Sequence, residues 1–195
     1  MNIAMILTGS RLITGALFAY FFVNAISGGE VLKVSNFTFL NVALITAIIL
    51  ELSDAFDGFA ARARNQVTDL GKIFDPVCDA ISRQTMFLAF LLVGAIPLWA
   101  FLVFLYRDSL IYLLRIMAAK DGVVLAASMS GKIKAITQAI ATFSILLLFY
   151  LQHFGVMENI KTMSYWIIAV PAVFALSSGI EYYKNNWNVI LKGLK

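Results

Sequence analysis

The chain reads as an all-α integral membrane protein with six transmembrane helices. Two observations predict this. Of its 195 residues 61% are hydrophobic and only 13% charged, and the mean hydropathy is +0.87. A soluble domain would carry about 25% charged residues. The apolar residues also fall into six stretches, each close to the roughly 20 residues that a bilayer-crossing helix needs. One membrane domain over residues 1–195 accommodates all six.

The stretches run from Met5 to Ile26, Phe37 to Phe56, Phe74 to Ile96, Leu98 to Met117, Ile133 to Leu151, and Met163 to Tyr182. Gly28 and Gly29 separate the first two, and Pro97 marks a tight turn between the third and fourth. The polar run from Gln152 to Thr162 separates the last two. The first stretch contains Arg11 and has no small-residue cleavage site after it, so it reads as a span and not as a removable signal.

Orientation follows from the basic residues. Six spans put both termini on one side. Arg11, Arg62, Arg64, Lys72, Arg83 and most of the later lysines fall on that side, against Lys33 and Lys161 on the other. Both termini are therefore expected in the cytoplasm, in a cell (inner or plasma) membrane. The net charge of +4 suits an anionic lipid surface. No soluble basic face exists to bind nucleic acid. Cys78 is the single cysteine, so no disulfide forms within the chain, and it reads as a small packing residue. Trp99, Trp166 and Trp187 lie near predicted membrane edges as anchors. His153 reads as solvated on the far side.

Four carboxylates break the apolar pattern. Asp54 and Asp57 are three residues apart at the end of the second stretch; Asp75 and Asp79 are four apart at the start of the third. Each pair shares one face of a helix. A loop from about Arg64 to Lys72 would make the two helices an antiparallel pair and bring the faces together. A carboxylate near lipid costs at least a few kcal/mol. Four together match a binuclear site for hard cations such as Mg²⁺ or Mn²⁺. Helix caps explain them poorly, since Asp54 near a helix C-terminus is unfavourable. Gly58, Ala61 and Gly71 leave room for a ligand against the backbone, and Arg62 adds a fixed positive charge. Metals, a guanidinium and bare backbone describe a diphosphate or nucleotide seat. A divalent cation transporter would also use the carboxylates, but not the small residues and the arginine. Glu51 precedes Asp54 by three residues and reads as a supporting group or the partner of a helix neighbour, not a ligand.

A second polar region begins in the fourth stretch with Arg107, Asp108 and Arg115, and continues through Ser128, Gly131, Lys132, Lys134 and Gln138. Buried arginines in a membrane helix need anionic partners. Arg107 and Arg115 are two turns apart and point to one side, and Asp108 can serve one of them. With Lys132 and Lys134 they can hold the phosphate of a phosphorylated acceptor. The bland alternative is that the lysines only snorkel to the interface.

The run from Asp54 to Asp79, Asp-x2-Asp-Gly-x2-Ala-Arg-x8-Gly-x3-Asp-x3-Asp, resembles the CDP-alcohol phosphotransferase motif with every defined position filled. The resemblance implies a six-helix membrane fold, a homodimer, and transfer of a phosphatidyl or similar group from a CDP-linked donor to an alcohol with release of CMP. It further implies that Asp54, Asp57, Asp75 and Asp79 hold two divalent metals and that Asp79 is the general base. Asp54, Gly58, Ala61, Arg62 and Gly71 would contact the CDP part. A tightly metal-bound carboxylate is a weak base, so Asp79 should be the least tightly ligated of the four. The second region, together with Thr8 and Arg11, is similar to the bacterial phosphatidylglycerophosphate synthase subgroup. That similarity implies CDP-diacylglycerol as donor and sn-glycerol 3-phosphate as acceptor. The chain departs from the subgroup at Met5, usually asparagine, at Ala80, usually lysine, and at Asp108, commonly glutamate. Inositol phosphate, or another phosphorylated alcohol, stays open as the acceptor.

Overall fold

The computed structural model describes residues 3–28, 36–64, 69–120, 125 and 128–187; the side chains of residues 3–8, 54–64 and 69–73 lie outside that description. Among the described residues the chain forms six α-helices: α1 (Ile3–Ser27), α2 (Asn36–Arg64), α3 (Asp69–Leu92), α4 (Leu98–Lys120), α5 (Met129–His153) and α6 (Ile160–Asn185). All six predicted spans are helices, and the protein is a multi-pass membrane protein. Long stretches of α1, α2, α5 and α6 are apolar enough to cross a bilayer by themselves. α3 and α4 carry the ionisable groups, Asp75, Asp79 and Arg83 on one and Arg107, Asp108 and Arg115 on the other, which lowers their hydropathy.

Several helix ends differ from the apolar stretches by a few residues, and two of these differences bear on the acidic cluster. α2 does not end at Phe56 but runs on to Arg64, so Asp54 and Asp57 stand inside a continuous helix rather than at its C-terminus. α3 begins at Asp69 and takes Pro76 into its second turn. The cause is the same in both cases: the apolar stretch ends where the lipid ends, while the helix continues as long as its backbone bonds are made. Two helices stop through the same device. Gly94, with φ 72°, and Gly155, with φ 69°, adopt the left-handed conformation that glycine tolerates best. After α3, Gly94 N–H donates to the Leu91 carbonyl and Ala95 N–H to that of Phe90; after α5, Gly155 and Val156 repeat the pattern onto Gln152 and Leu151.

The chain divides into two compact units, residues 1–95 and 96–195. In the first, α1 packs against both α2 and α3. Phe18 and Phe22 on α1 meet Phe90 on α3 edge to face, with centroids 5.7 and 5.0 Å apart, and all three rings are fully buried. Cys78 is buried in the same unit. One turn from Arg11, Gly15 lets α1 come close to α3: a Cβ there would stand 3.1 Å from the Ser82 backbone. Small residues that let helix backbones approach are the usual means of packing in lipid. In the second unit, α6 packs on both α5 and α4. Ile111 and Leu114 of α4 bury against Tyr182 of α6, with Leu125 beside them. Trp99, Trp166 and Trp187 are all exposed, as anchors in lipid or at its edge would be. His153 ends α5 with its ring against Phe154, 5.4 Å between centroids.

Candidate active site

In the first unit the described part of the acidic cluster is Asp75 and Asp79, four residues apart on α3 and both half-buried. Asp54, Asp57, Gly58, Ala61 and Arg62 follow one another on α2 and Gly71 lies in the first turn of α3. Their side chains, like that of Thr8, lie outside the described residues. Among the described residues no group of three or more acidic, histidine or cysteine side chains converges.

Asp79 has a partner that sequence reading placed only in a charge count and a subgroup resemblance. The buried Arg11 of α1, 3% exposed, forms an ion pair with the Asp79 carboxylate. Its second terminal nitrogen donates to the Ser53 carbonyl of α2 at 3.2 Å. One guanidinium thus ties α2 and α3 together through α1, and Gly15 makes the approach possible. One residue before Asp54 the backbone is held, and the proposed base is held at the same time. Nearby, Glu51 of α2 pairs with Arg83 of α3 at 3.4 Å. That pair joins α2 to α3.

The second unit gathers the other set. Asp108 on α4 is 5% exposed. Lys134 Nζ of α5 donates to both its oxygens, at 2.8 and 2.9 Å, and Arg107 Nη1 donates to one of them at 2.8 Å. Asp108 therefore serves two cations. Arg107 Nη2 continues to the Ser178 hydroxyl of α6 at 3.0 Å. Two glycines make space for this side chain. A Cβ at Gly179 would stand 3.2 Å from Arg107 Cγ, and one at Gly131 would stand 3.5 Å from Nη2. Gly131 N–H also donates to Ser128 Oγ at 3.1 Å, the N-cap of α5, which fixes the start of the helix that carries Lys134. Arg115 sits two turns from Arg107, donates through Nε to the Tyr182 hydroxyl at 3.2 Å and lies 5.8 Å over that ring.

Three of the four predicted phosphate-binding cations, Arg107, Arg115 and Lys134, thus lie against α6 or on the shared Asp108. Lys132 is not brought to them. It is exposed, while Lys134 is buried, because two residues are about 200° apart on a helix. Ser178, Gly179 and Tyr182 were not singled out beforehand. The run of serines and glycine at 177–179 inside an apolar span is the signal that could have found them. A groove of about 880 Å³ also runs between α4 and α6, lined by Leu102, Tyr106, Leu176 and Ile180, with Arg107 and Lys184 as its charged residues.

Comparison with known proteins places this geometry. Residues 1–177 match the family model of the CDP-alcohol phosphatidyltransferases. The chain is similar to the CDP-diacylglycerol–glycerol-3-phosphate 3-phosphatidyltransferase of Bacillus subtilis, 34% identical over 146 residues, which is 75% of this chain and 74% of that protein. The proteins of the same name from Treponema pallidum and Mycoplasma pneumoniae are 29% and 30% identical, over 76% and 79% of this chain and 71% and 67% of theirs. A motif with every position filled, two polar clusters built from six membrane helices and a family match over most of the length agree, and the cation-transporter reading falls away: the chain belongs to the CDP-alcohol phosphatidyltransferase family.

Proposed function

We propose that the protein transfers the phosphatidyl group of CDP-diacylglycerol to sn-glycerol 3-phosphate, giving phosphatidylglycerophosphate and CMP. The observation that carries this is the similarity to three bacterial proteins bearing that enzyme name, over about three quarters of the chain. The buried cations of the second unit support the phosphorylated acceptor.

The chemistry assigns roles to this chain's own groups. Asp79 accepts the proton of the acceptor's primary hydroxyl. The hydroxyl oxygen forms a bond to the β-phosphorus of the donor, the bond from that phosphorus to the CMP oxygen breaks, and CMP leaves with the electron pair. Arg11 holds the Asp79 side chain in position before substrate arrives. Arg62, Gly58, Ala61, Gly71 and Asp54 form the seat of the CDP part. Arg107, Arg115 and Lys134 take the acceptor phosphate, with Lys132 an outer charge near its entry. Asp54, Asp57, Asp75 and Asp79 would hold two divalent cations, Mg²⁺ or Mn²⁺. Carboxylate oxygens are the donors that hard cations select, and the half-buried Asp75 and Asp79 on one face of α3 fit that use. When bound, the cations neutralise the diphosphate and the departing CMP. The protein works as a homodimer in the cell membrane, with the acidic cluster and both termini facing the cytoplasm.

The decisive experiment is CMP release by the purified protein with CDP-diacylglycerol, Mg²⁺ and a panel of acceptors. Release that depends on sn-glycerol 3-phosphate supports the reading. Release with inositol phosphate instead would move the acceptor and keep the chemistry. No release with any phosphorylated alcohol would sink the proposal.

A further inference from the structure

Gln138 of α5 has no exposed surface, and neither its amide nitrogen nor its amide oxygen has a hydrogen-bond partner. A buried amide with both ends unmade is costly, and more so in a membrane domain, where no water replaces the lost bonds. The residue is not isolated. It stands one turn after Lys134 on the buried face of α5, and residues four apart on a helix are neighbours on that face. Lys134 is bound to Asp108, which also binds Arg107. The Nε of Arg107 is likewise buried and unpartnered, although its other two nitrogens are engaged. Two buried cations, Arg107 and Lys134, thus share one carboxylate. The same neighbourhood holds three unused hydrogen-bonding atoms: one donor on Arg107, and one donor and one acceptor on Gln138.

That combination describes a ligand. An unpartnered guanidinium N–H suits a phosphate oxygen. An amide that offers a donor and an acceptor side by side suits a hydroxyl, which both donates and accepts. A phosphorylated alcohol with a hydroxyl close to its phosphate supplies both. Buried polar groups left unsatisfied in the free protein are expected where stability has been given up for binding.

We propose that Gln138 is a specificity-determining residue that hydrogen-bonds the acceptor hydroxyl nearest the phosphate, the C2 hydroxyl of sn-glycerol 3-phosphate. This rests on the proposed function and deepens it. The C2 hydroxyl is not the one that attacks, so Gln138 selects the acceptor without taking part in the bond changes.

The test compares sn-glycerol 3-phosphate with 3-hydroxypropyl phosphate, which keeps the phosphate and the attacking hydroxyl but lacks the C2 hydroxyl. CMP release is measured for the full-length protein and for Gln138→Met. The wild-type protein should prefer sn-glycerol 3-phosphate in kcat/KM by roughly 10- to 100-fold, the value of a hydrogen bond in a dry site. In Gln138→Met that preference should fall to within about threefold, mainly through a raised KM for sn-glycerol 3-phosphate, with KM for CDP-diacylglycerol unchanged. The Tm of the substrate-free variant should be equal to or above wild type, because no hydrogen bond is lost. Equal slowing with both acceptors, or a wild-type preference near one, overturns the proposal. So does a Gln138→Met protein that fails to fold or melts far lower, since the amide would then be structural. Gln138→Glu gives a second reading: it keeps an acceptor, loses the donor and should lose part of the preference. If the wild-type protein releases no CMP with either acceptor, it is the proposed function that fails; if wild type turns over and the variant's preference is unchanged, only the role of Gln138 fails.

Discussion

The two units handle buried charge in opposite ways. In residues 1–95 the described arginines each meet a carboxylate on another helix: Arg11 that of Asp79, and Arg83 that of Glu51. In residues 96–195 one carboxylate, Asp108, answers for Arg107 and Lys134, while Arg115 rests on the neutral hydroxyl and ring of Tyr182. The first arrangement positions a carboxylate. The second gathers two cations on one carboxylate. Under the proposed function the proton chemistry would fall to the first unit and acceptor recognition to the second.

The comparison can be broken at several points. Its strongest claim is that Asp79 is held to act as a base. Asp79→Asn should lower CMP release by roughly 10²- to 10⁴-fold, the range of a lost general base, while CDP-diacylglycerol binding stays measurable. Near-normal turnover would remove Asp79 from that role. In the second unit, Asp108→Asn leaves two buried cations without their carboxylate and should destabilise the protein by about 3–5 kcal/mol, read as a lowered Tm. Asp108→Glu should recover most of it. Equal Tm values for the two variants would show that charge at this position is not what holds Lys134 and Arg107.

A third test targets the approach that lets Arg11 reach Asp79. Gly15→Val puts a branched side chain against the Ser82 backbone, where a Cβ already meets atoms at 3.1 Å. A cost of about 1–3 kcal/mol is expected from overpacking, together with reduced turnover, because α1 must move off α3. A stable, fully active Gly15→Val would mean that Arg11 does not position Asp79. The smallest effect is expected at Lys132, which is exposed. Lys132→Ala should change stability by no more than about 0.5 kcal/mol and raise the acceptor KM far less than Lys134→Ala does. Equal KM effects would place both lysines on the phosphate.

Part of this was legible from spacing alone. The interval of four between Asp75 and Asp79 put them on one face of α3, and that of eight between Arg107 and Arg115 aligned them on α4. The interval of two between Lys132 and Lys134 equally required opposite faces, yet both lysines were grouped by composition. Hydropathy does not give the ends of α2 and α3, because it reports where lipid stops, not where backbone bonds stop. The spacing pointed to Asp108 as a partner for Arg107 or Arg115, and Arg107 meets it, but the long-range pairings were not legible. Arg11 and Asp79 are 68 residues apart, and Arg107 and Ser178 are 71 apart. Nothing local in either sequence window names the other.

The sequence by itself determined that the chain lives in a membrane as six helices, that four acidic residues recur in a motif-like run, and that the motif is that of the CDP-alcohol phosphatidyltransferases. The first two follow from composition, helical period and fixed short spacing, all of which are local properties, and the third from the motif's resemblance to that family. Only the tertiary structure decided which charge meets which. It gave Asp79 to Arg11, gave Asp108 to Lys134 and Arg107, left Lys132 outside, and left the Gln138 amide buried without a partner. Those outcomes depend on which helices come close, and that is set by glycines such as Gly15 and Gly179 acting against residues on other helices. Hydrogen bonds and ion pairs form across space between side chains whose separation along the chain carries no information about their distance.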